Sequence, residues 1–576
     1  MRIFATAGHV DHGKSSLVTA LSGTNPDRWR EERERGMTID LGFAHFTLPS
    51  GREVSLIDVP GHIRFINNML AGVGGIHGAI LVVDAHEGWM PQTEEHLRIL
   101  ELTGTRHGVV VVSRVDLVDD DEAELTAIDI RDRVVGTFLA DAPIVKASTV
   151  RGDGLDDLRQ ELDHLMDSST GSPDRGRPRL FVDRVFAPKG SGTVVTGTLT
   201  DGSLAVGDSV VVQPLRREVR IRGIQTHGHS VESIEPGHRV ALNLSGIEHG
   251  DVRRGHAVVR ADDWHLATVL DASFTALASL DHDVTRRGAY TMHVGSDELP
   301  VRLRVLGDES IRPGAHGFVR LHLAEPRPLV MGDRFVIRES GRDETVGGGV
   351  VRDVAPLLTA SRAQPVDDDH ANVDRIVAER GWIDAVELRR FTGVSRSPTV
   401  AQWVVDPAVV TAAETSLRRR VTEAGAEGLE ISALDDRERA LLATFTDITV
   451  SGGFARTRGA DDPLLSHSDI DVIRAGGCAP SATIALTNAE LRRLQKAGVL
   501  FERDGEWFHV DALETARLAA VSLLASHPDG FTMSQFREAL GVTRKHAVPI
   551  ATELDARGIT RRRGDVRIAG PRLNRE

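Results

Sequence analysis

Gly8-His9-Val10-Asp11-His12-Gly13-Lys14-Ser15 is the stretch that decides the fold of the first part of the chain. It fits the pattern G-x-x-x-x-G-K-[ST], in which glycines let backbone N–H groups curl around phosphates. Residues 3–7 predict a buried strand before it, and residues 16–21 predict the first turns of a helix, whose dipole favours an anion. The pattern predicts a nucleoside triphosphate site. Its expected binding residues are Gly8, His9, Val10, Asp11, His12, Gly13, Lys14, Ser15 and Ser16.

Two side chains of this loop have separate expected roles. Lys14 is expected to reach the β- and γ-phosphates, which makes it a candidate catalytic residue. The Ser15 hydroxyl is expected to bind Mg²⁺. Thr38 follows on a segment that could act as a switch, because a threonine there can complete the Mg²⁺ shell when the γ-phosphate is present. Ser15 and Thr38 are therefore the predicted metal ligands.

The stretch Asp58-Val59-Pro60-Gly61-His62 follows directly after a predicted strand. Asp58 is expected to hold Mg²⁺ through water, and the Gly61 N–H to sense the γ-phosphate. His62 is expected to orient the attacking water, so His62 and Gly61 join Lys14 as catalytic candidates. Taken singly, each of these residues could be an ordinary loop residue; their order along the chain favours the catalytic interpretation.

Base recognition is predicted from two loops at the ends of later strands. A guanine-reading loop would normally contain Asn-Lys-x-Asp, whereas this chain contains Ser113-Arg114-Val115-Asp116. The Asp116 carboxylate can accept two hydrogen bonds from the N1–H and the amino group of guanine, which adenine does not offer. Serine in place of asparagine is expected to weaken the internal bonding of the loop. Ala147 and Ser148, in Lys146-Ala147-Ser148, fit the last base-contacting loop, so GTP is the expected nucleotide.

Composition and charge restrict the class of protein. The 576 residues suggest about four domains, with 40% hydrophobic and 27% charged residues and no apolar run of membrane-spanning length. The first predicted strand begins almost at residue 1, so no signal peptide is expected. The only cysteine, Cys478, excludes an internal disulfide framework and fits a cytoplasmic protein. The net charge of −15 argues against nucleic-acid binding by the whole surface, although a local basic patch remains possible.

Hydrophobic patterns predict a multidomain chain. Strands alternate with helices in the first part, short strands with Gly and Asp turns follow, and the last part is mostly helical, with hairpins typical of winged-helix modules. The predicted strands of the two barrels include residues 193–199, 206–212, 301–306, 317–323 and 334–338. The predicted domains are an α/β P-loop GTPase domain at 1–170, β-barrels at 178–262 and 263–358, and tandem winged-helix modules, three or four in number, at 368–576, the terminal one at about 513–576.

The motifs of the first 358 residues resemble those of the translational GTPases, in which two barrels follow the GTPase domain as in elongation factor Tu. Residues 71–78 and Gln92-Thr93-Glu94-Glu95-His96 strengthen this resemblance. Residues 36–43, 183–198 and 237–246 are similar to the selenocysteine-specific elongation factors of bacteria, and with the terminal modules this resemblance covers essentially the whole chain. It implies a GTPase, without a separate exchange factor, that delivers selenocysteinyl-tRNA to the ribosome at a recoded UGA codon.

The resemblance also implies a pocket for the aminoacyl group. Arg184 and Arg239 match the arginines of that pocket, and Asp40 lies nearby on the switch segment. A selenol is far more acidic than a thiol, so charge-assisted bonds to the selenolate would favour it over the neutral serine of the precursor. Salt bridges on the surface or between domains are the alternative role for both arginines.

The C-terminal region carries a local excess of positive charge. Residues 541–567 contain seven Lys or Arg against three acids. The resemblance implies that the terminal module grips a hairpin in the selenoprotein mRNA, and phosphate contact requires such a charge. A solvated basic face is the alternative. The predicted RNA-binding residues are Arg544, Lys545, Arg561, Arg562 and Arg563.

Two other functions remain open on the sequence alone. One is a different GTPase on the same scaffold, such as the GTPase subunit of sulfate adenylyltransferase, although the winged-helix region argues against it. The other is an RNA-binding adaptor that does not hydrolyse GTP, which the unusual Ser113 and Arg114 suggest. The expected partners of the favoured function are selenocysteinyl-tRNA, the mRNA hairpin and the ribosome, with no membrane, and the chain is expected to be a monomer.

Overall fold

The structure, a computed structural model, describes residues 2–26, 38–62, 65–73, 75–168, 172–188, 190, 192–459, 462–480 and 483–573. The chain divides into two compact units, residues 1–397 and 398–576. Gly36 and Met37 of the switch motif and Lys189 and Ser191 of the barrel motif lie outside the described residues. Among the helices that the structure does describe, none is long and apolar enough to cross a membrane.

The first domain is a mainly parallel sheet with helices on both faces. Its elements are β1 (Arg2–Ala7), α1 (Lys14–Ser22), β2 (Gly42–Thr47), β3 (Glu53–Asp58), α2 (Ile66–Val73), β4 (Gly78–Asp84), α3 (Pro91–Leu102), β5 (Gly108–Ser113), α4 (Asp120–Arg133), β6 (Ile144–Ala147) and α5 (Leu155–Ser168). The strand order is β2-β3-β1-β4-β5-β6, and only β2 runs antiparallel to its neighbour.

The apolar strands of this sheet form because both of its faces are covered. Every residue of β4 and of β5 is buried, which is why both strands are almost continuously apolar in sequence. The predicted phosphate loop leaves the carboxyl end of β1, and the stretches at 58–62 and 113–116 leave those of β3 and β5. Parallel strands bring these three segments to one edge of the sheet, where open α/β sheets bind their ligands.

A first barrel follows the GTPase domain. Its strands are β7 (Arg179–Phe181), β8 (Arg184–Phe186), β9 (Thr193–Thr200), β10 (Leu204–Ala205), β11 (Ser209–Gln213), β12 (Arg217–Thr226), β13 (His229–Val231), β14 (Ser233–Ile234), β15 (Arg239–Ser245) and β16 (Ala257–Val259). The order β11-β16-β7-β9-β15-β12 closes because β11 also pairs with β12. The strand predicted at 206–212 begins only at Ser209, since Gly207 turns the chain at a φ of 96°.

The second barrel is closed in the order β17-β22-β20-β19-β23-β24. Alternating burial along β20 confirms the solvated face that its alternating charges predict. The strands of this region are β17 (Leu266–Ala276), β18 (Val284–Thr285), β19 (Tyr290–Val294), β20 (Asp297–Leu306), β21 (Ser310–Ile311), β22 (His316–Pro328), β23 (Arg334–Glu339) and β24 (Glu344–Asp353).

Two short helices complete the first unit. They are α6 (Asp369–Arg380) and α7 (Ala385–Thr392), with β25 (Trp382–Asp384) between them. Asn372 of α6 donates to the carbonyl of Arg352 at 2.5 Å, and Arg375 lies 3.5 Å from the fully buried Asp353. In α7, the Phe391 carbonyl accepts a hydrogen bond from the Met331 N–H at 3.1 Å. Both helices therefore pack on the second barrel region, and the compact unit extends to residue 397.

The second unit contains small antiparallel sheets between helices. Its elements are β26 (Trp403–Val405), α8 (Pro407–Glu423), β27 (Leu429–Glu430), α9 (Asp436–Leu442), β28 (Ile448–Ser451), β29 (Phe454–Thr457), α10 (Ser468–Gly476), α11 (Asn488–Lys496), β30 (Leu500–Arg503), β31 (Glu506–His509), α12 (Asp511–Ser526), β32 (Phe531–Thr532), α13 (Met533–Leu540), α14 (Arg544–Ala556), β33 (Thr560–Arg563) and β34 (Val566–Ala569). Short 3₁₀ turns occupy Gly425–Glu427, Ile431–Ala433 and Pro463–Ser466 of this unit and Val115–Leu117 of the GTPase domain.

The hairpin of β30 and β31 turns at Asp504 and Gly505, with φ angles of 56° and 82° that are typical of a type I′ turn. Its rings of Phe501 and Phe508 stack at 5.1 Å and belong to one buried cluster with α12, α13 and α14. Cys478 lies buried in the same cluster, where it serves as a small packing residue. The hairpin and the terminal helices therefore share a hydrophobic core.

Candidate functional site

The phosphate loop has the backbone that its sequence predicts. Gly8 has a φ of 130°, and a Cβ there would lie 2.1 Å from the Val82 carbonyl oxygen, so only glycine fits. Helix α1 begins at Lys14, and the buried Lys14 Nζ donates to the carbonyls of Gly8 at 3.0 Å and His9 at 2.5 Å. Burial lowers the pKa of Lys14 to about 8, against the opposing effect of Asp58. A phosphate oxygen at this place would offer the ammonium group the counter-charge that carbonyls lack.

Three side-chain oxygens converge beside this loop, where Mg²⁺ is expected. Ser15 Oγ lies 2.7 Å from Thr38 Oγ1 and donates to Asp58 Oδ2 at 2.7 Å. Thr38 Oγ1 is 3.4 Å from the same carboxylate oxygen, and Thr6 donates to its other oxygen at 2.8 Å. Hard oxygen donors around one carboxylate fit Mg²⁺. The structure therefore brings the predicted metal residues together with Asp58.

Gly61 and His62 lie at the same end of the site. A Cβ on Gly61 would be 2.5 Å from Lys14 Nζ, so the Gly61 backbone lies against the lysine. The half-buried His62 ring lies 5.9 Å from the ring of Phe65, centroid to centroid. The catalytic candidates Lys14, Gly61 and His62 thus belong to one neighbourhood, with roles that stay predictions.

Ser113, the residue expected to weaken the guanine-reading loop, connects that loop to the phosphate loop. Ser113 Oγ donates to the carbonyl of His12 at 2.7 Å and lies 3.3 Å from that of Val83. Arg114 has a left-handed backbone, with a φ of 56°, and its guanidinium lies 3.1 Å from Asp84. Serine therefore supplies a cross-loop bond, and the expected weakening relative to asparagine stays a prediction.

The two predicted base-contacting loops meet each other. A hydrogen bond from Ser148 lowers the pKa of Asp116 below its usual range, which keeps this carboxylate charged. The Arg151 guanidinium donates to the backbone carbonyl of Asp116 at 3.0 Å, and the Arg151 backbone N–H donates to Ser148 Oγ at 3.0 Å. Ala147, at the end of β6, is buried beside them. An ionised, half-buried carboxylate suits the recognition of guanine.

A cavity of about 340 Å³ lies between the GTPase domain and the first barrel. Arg184 points from the barrel to the switch segment, where it donates to the Leu41 carbonyl and lies 3.4 Å from Asp40. Arg239 donates to Asp183 at 3.0 Å. The Phe43 ring connects the two arginines, with its centroid 4.6 Å from the Arg184 guanidinium carbon and 3.5 Å from that of Arg239. Arg184 and Arg239 therefore line one cleft, and Asp40 lies beside it within ion-pair distance of Arg184.

Three further residues shape this cleft and were missed by the sequence reasoning. Phe43 holds both guanidinium planes, and Asp183 orients Arg239. Arg254, from the end of the first barrel, lies 3.8 Å from Asp40 and donates to Asn68 at 2.7 Å. Phe43 and Asp183 lie within residues 36–43 and 183–198, the stretches that carry the family resemblance, so their place in those motifs was the available signal. Arg254 had no local signal.

The predicted RNA-binding residues are exposed on the terminal module. Arg544 and Lys545 begin α14, and Lys545 forms an ion pair with Glu506 of the preceding hairpin. Arg561, Arg562 and Arg563 are all exposed on β33, the edge strand of the sheet β32-β34-β33. Two other basic residues of this region have structural partners instead, since Arg557 pairs with Glu553 and Arg567 with Asp555. The five predicted side chains are thus all exposed, Lys545 within its ion pair with Glu506.

Comparison with known proteins identifies each of these regions. The Elongation factor Tu GTP binding domain matches residues 1–168, Elongation factor Tu domain 2 matches 192–259, and the Elongation factor SelB winged helix matches 522–569. A solved bacterial selenocysteine-specific elongation factor has a TM-score of 0.72 and 26% identity over 99% of both chains. The factor SelB of Methanococcus maripaludis, solved with the GTP analogue GPPNHP, has a TM-score of 0.53 and 25% identity, covering 62% of this chain and 80% of that one.

Curated relatives carry the same name. The selenocysteine-specific elongation factor of Desulfomicrobium baculatum is 38% identical over 68% of this chain and 63% of its own length. That of Escherichia coli is 30% identical over 98% of both chains. The predicted fold class, a GTPase domain with two barrels and C-terminal winged helices, is thereby confirmed. The chain belongs to the selenocysteine-specific elongation factors, translation factors that bind and hydrolyse GTP.

Proposed function

We propose that this chain carries selenocysteinyl-tRNA to the ribosome at a recoded UGA codon and binds an mRNA hairpin through its terminal module. The observation that carries the proposal is the contact of Arg184 with the switch segment at Asp40 and Leu41. Thr38, two residues before Asp40, lies beside Ser15 and Asp58 at the nucleotide site. Ordering of this segment by the γ-phosphate therefore positions one wall of the cargo pocket.

The cargo is recognised by charge. A selenolate in the cleft accepts charge-assisted hydrogen bonds from Arg184 and Arg239, whose planes Phe43 holds in place. A seryl hydroxyl is neutral and gains less from the same donors, which gives discrimination between the two aminoacyl groups. Asp40 keeps Arg184 directed at the switch side of the pocket. Binding of GTP and of cargo are thus linked through residues 38–41.

GTP is bound by the phosphate loop and by the two base-contacting loops, and it is hydrolysed at its γ-phosphate. Residues 8–16 surround the phosphates, while Ser113, Arg114, Asp116, Ala147 and Ser148 form the guanine side. Water attacks the γ-phosphorus, the bond to the bridging oxygen breaks, and GDP and phosphate leave. His62 orients that water, and Gly61 and Lys14 contact the γ-phosphate. Ser15 and Thr38, with Asp58 acting through water, would hold Mg²⁺, whose positive charge would offset that of the phosphates.

The remaining partners follow from the role of an elongation factor. The ribosome triggers hydrolysis, and the factor acts as a monomer in the cytoplasm, where translation takes place. The exposed Arg544, Lys545 and Arg561–Arg563 bind the phosphates of the hairpin. The hairpin's identity resides in loop bases and bulges, as in most sequence-specific RNA recognition.

Protection of the aminoacyl ester tests the proposal. Purified protein is mixed with tRNA carrying selenocysteine or serine, and ester hydrolysis is followed with GTP and with GDP. We expect strong protection of the selenocysteine ester only, and only with GTP. Equal protection of both esters would contradict the pocket, and protection of neither would contradict the carrier function altogether.

A further inference from the structure

Two side chains of helix α3 accept hydrogen bonds from the backbone of the phosphate loop. The Val10 N–H donates to Gln92 Oε1 at 3.0 Å, and the Gly8 N–H donates to His96 Nδ1 at 3.1 Å. Positions 92 and 96 are four apart and lie on one face of the helix. Because Nδ1 accepts a hydrogen bond from the backbone, the imidazole is neutral and carries its proton on Nε2. Both side chains therefore fix N–H groups of the loop that surrounds the phosphates.

The same helix is attached to the second barrel. Glu95 Oε1 accepts hydrogen bonds from Arg338 at 3.2 Å and from Thr345 at 3.3 Å. Arg338 is only 4% exposed, and it also donates to Thr345 at 2.9 Å. Glu95 thus enters a buried polar network at the hairpin of β23 and β24, where a charged partner is worth more than on the surface.

An apolar contact reinforces the attachment. Val336 of β23 belongs to the buried core cluster of the GTPase domain, together with Leu97 and Leu100 of α3. A Cβ added to Gly348 of β24 would lie 3.1 Å from the Leu102 Cβ, so the end of the helix lies directly on the barrel strand. Helix and barrel hairpin consequently form one packed layer.

We propose that α3 couples the second barrel to the phosphate loop, with Gln92 and His96 as positioning residues and Glu95 as the link to the barrel. The proposal rests on the nucleotide site proposed above. An α-helix is stiff over this length, so a change in the position of Glu95 moves residues 92 and 96 with it. Release of the barrel contact then loosens the backbone at Gly8 and Val10 and speeds nucleotide dissociation. Such a link is a coupling between two sites carried by one element.

The first test compares Glu95→Gln with Glu94→Gln in the full chain. Glu94 is the matched control, since it lies on the same helix but bonds to Trp89 and Arg98 of the GTPase domain. Dissociation of fluorescent GDP and GTP is measured by stopped flow with Mg²⁺. We expect Glu95→Gln to raise both rates about fivefold or more, a typical allosteric factor, and Glu94→Gln to leave them within about twofold of wild type. Equal rates in the two variants would overturn the proposal.

The second test examines the positioning role of His96. Asparagine places an oxygen acceptor near the position of Nδ1, whereas leucine has none, so His96→Asn is expected to restore most of the affinity lost in His96→Leu. Burial lowers the pKa of His96 to about 3, so the affinity ratio of wild type to His96→Leu is expected to be constant from pH 6 to 8. Thermal unfolding of each variant checks the fold.

The outcomes separate this proposal from the function on which it rests. Wild-type affinity in His96→Leu would overturn the positioning role, while equal losses in the leucine and asparagine variants would assign His96 to packing alone. A wild-type chain that bound neither GTP nor GDP would contradict the nucleotide site itself. Wild-type binding with unchanged variants would contradict only the coupling.

Discussion

At the scale of single residues, a substitution of His62 is expected to affect GTP hydrolysis and to leave GTP binding almost unchanged. His62 lies beside Phe65 at the γ-phosphate end of the site, but the contacts that shape the phosphate loop come from other residues. We expect His62→Ala to bind GTP almost as well as wild type and to lose about 10²-fold or more of the ribosome-stimulated hydrolysis rate. Single-turnover hydrolysis with ribosomes measures this loss. His62→Gln, whose amide can also orient water, should retain more activity, and a stimulated rate in the alanine variant equal to wild type would contradict the role.

The two arginines of the cleft act on the choice of cargo. Removal of Arg184 or Arg239 takes away charge-assisted hydrogen bonds worth about 1.5–3 kcal/mol each. We therefore expect Arg184→Ala and Arg239→Ala to reduce the preference for selenocysteinyl over seryl ester by about 10-fold or more, as measured by the ratio of the two affinities. Arg222→Ala, at an exposed position of the same barrel, is the matched control. A preference unchanged from that control would assign both arginines to salt bridging.

Which of these residues the sequence could predict depends on whether their role is local. Lys14, Ser15 and Asp58 follow from motif spacing, because the loop and strand ends that place them are local features. The bond from Ser113 to the His12 carbonyl joins residues 101 positions apart, so it has no local signal in the sequence. The sequence alone therefore predicts only that serine weakens the loop. The hydrogen bonds between α3 and the phosphate loop, and the position of Phe43 between two arginines, depend in the same way on the packing of distant segments.

At the scale of elements, the edge strand β33 presents its three arginines together. A strand with period-two alternation would hide the middle one, but the position of β33 at the edge of a small sheet leaves Arg561, Arg562 and Arg563 all exposed. The strands of the parallel sheet were readable because burial on both faces makes them apolar throughout. The edge position of β33 could not be read from sequence, since it depends on which strand pairs with β34.

This strand provides a prediction on RNA binding. Each arginine that contacts a phosphate contributes about 0.7–0.9 to the slope of log affinity against log salt. We expect replacement of all three by alanine to weaken hairpin binding and to reduce that slope by about 2 to 3, measured by filter binding at several salt concentrations. Arg419→Ala, at an exposed position of α8, is the control. An unchanged slope in the triple variant would mean that β33 is a solvated edge that resists aggregation.

At the scale of the whole molecule, the two compact units predict a division of labour along the chain. Residues 1–397 contain the nucleotide site, the cargo cleft and the helix that joins the nucleotide site to the second barrel, whereas the predicted RNA-binding residues all lie in 398–576. We expect a chain of residues 1–397 to fold, to bind GTP and to protect the selenocysteine ester, but to have no measurable affinity for the mRNA hairpin. Hairpin binding by this fragment would contradict the assignment of RNA contacts to the terminal module.

A second, shorter fragment tests why the first unit extends past the second barrel. A chain that ends at residue 358 lacks α6, and with it Arg375 and Arg380, the two arginines that lie 3.5 and 3.7 Å from the fully buried Asp353. The cut removes both ion pairs of Asp353 and also the fully buried side chains of Ile376 and Leu388. We expect residues 1–358 to melt at a lower temperature than residues 1–397, while bound GTP raises the melting temperature of both because neither cut touches the nucleotide site. Equal melting temperatures would mean that α6 and α7 contribute nothing to the first unit, and that the barrel strands alone determine its stability.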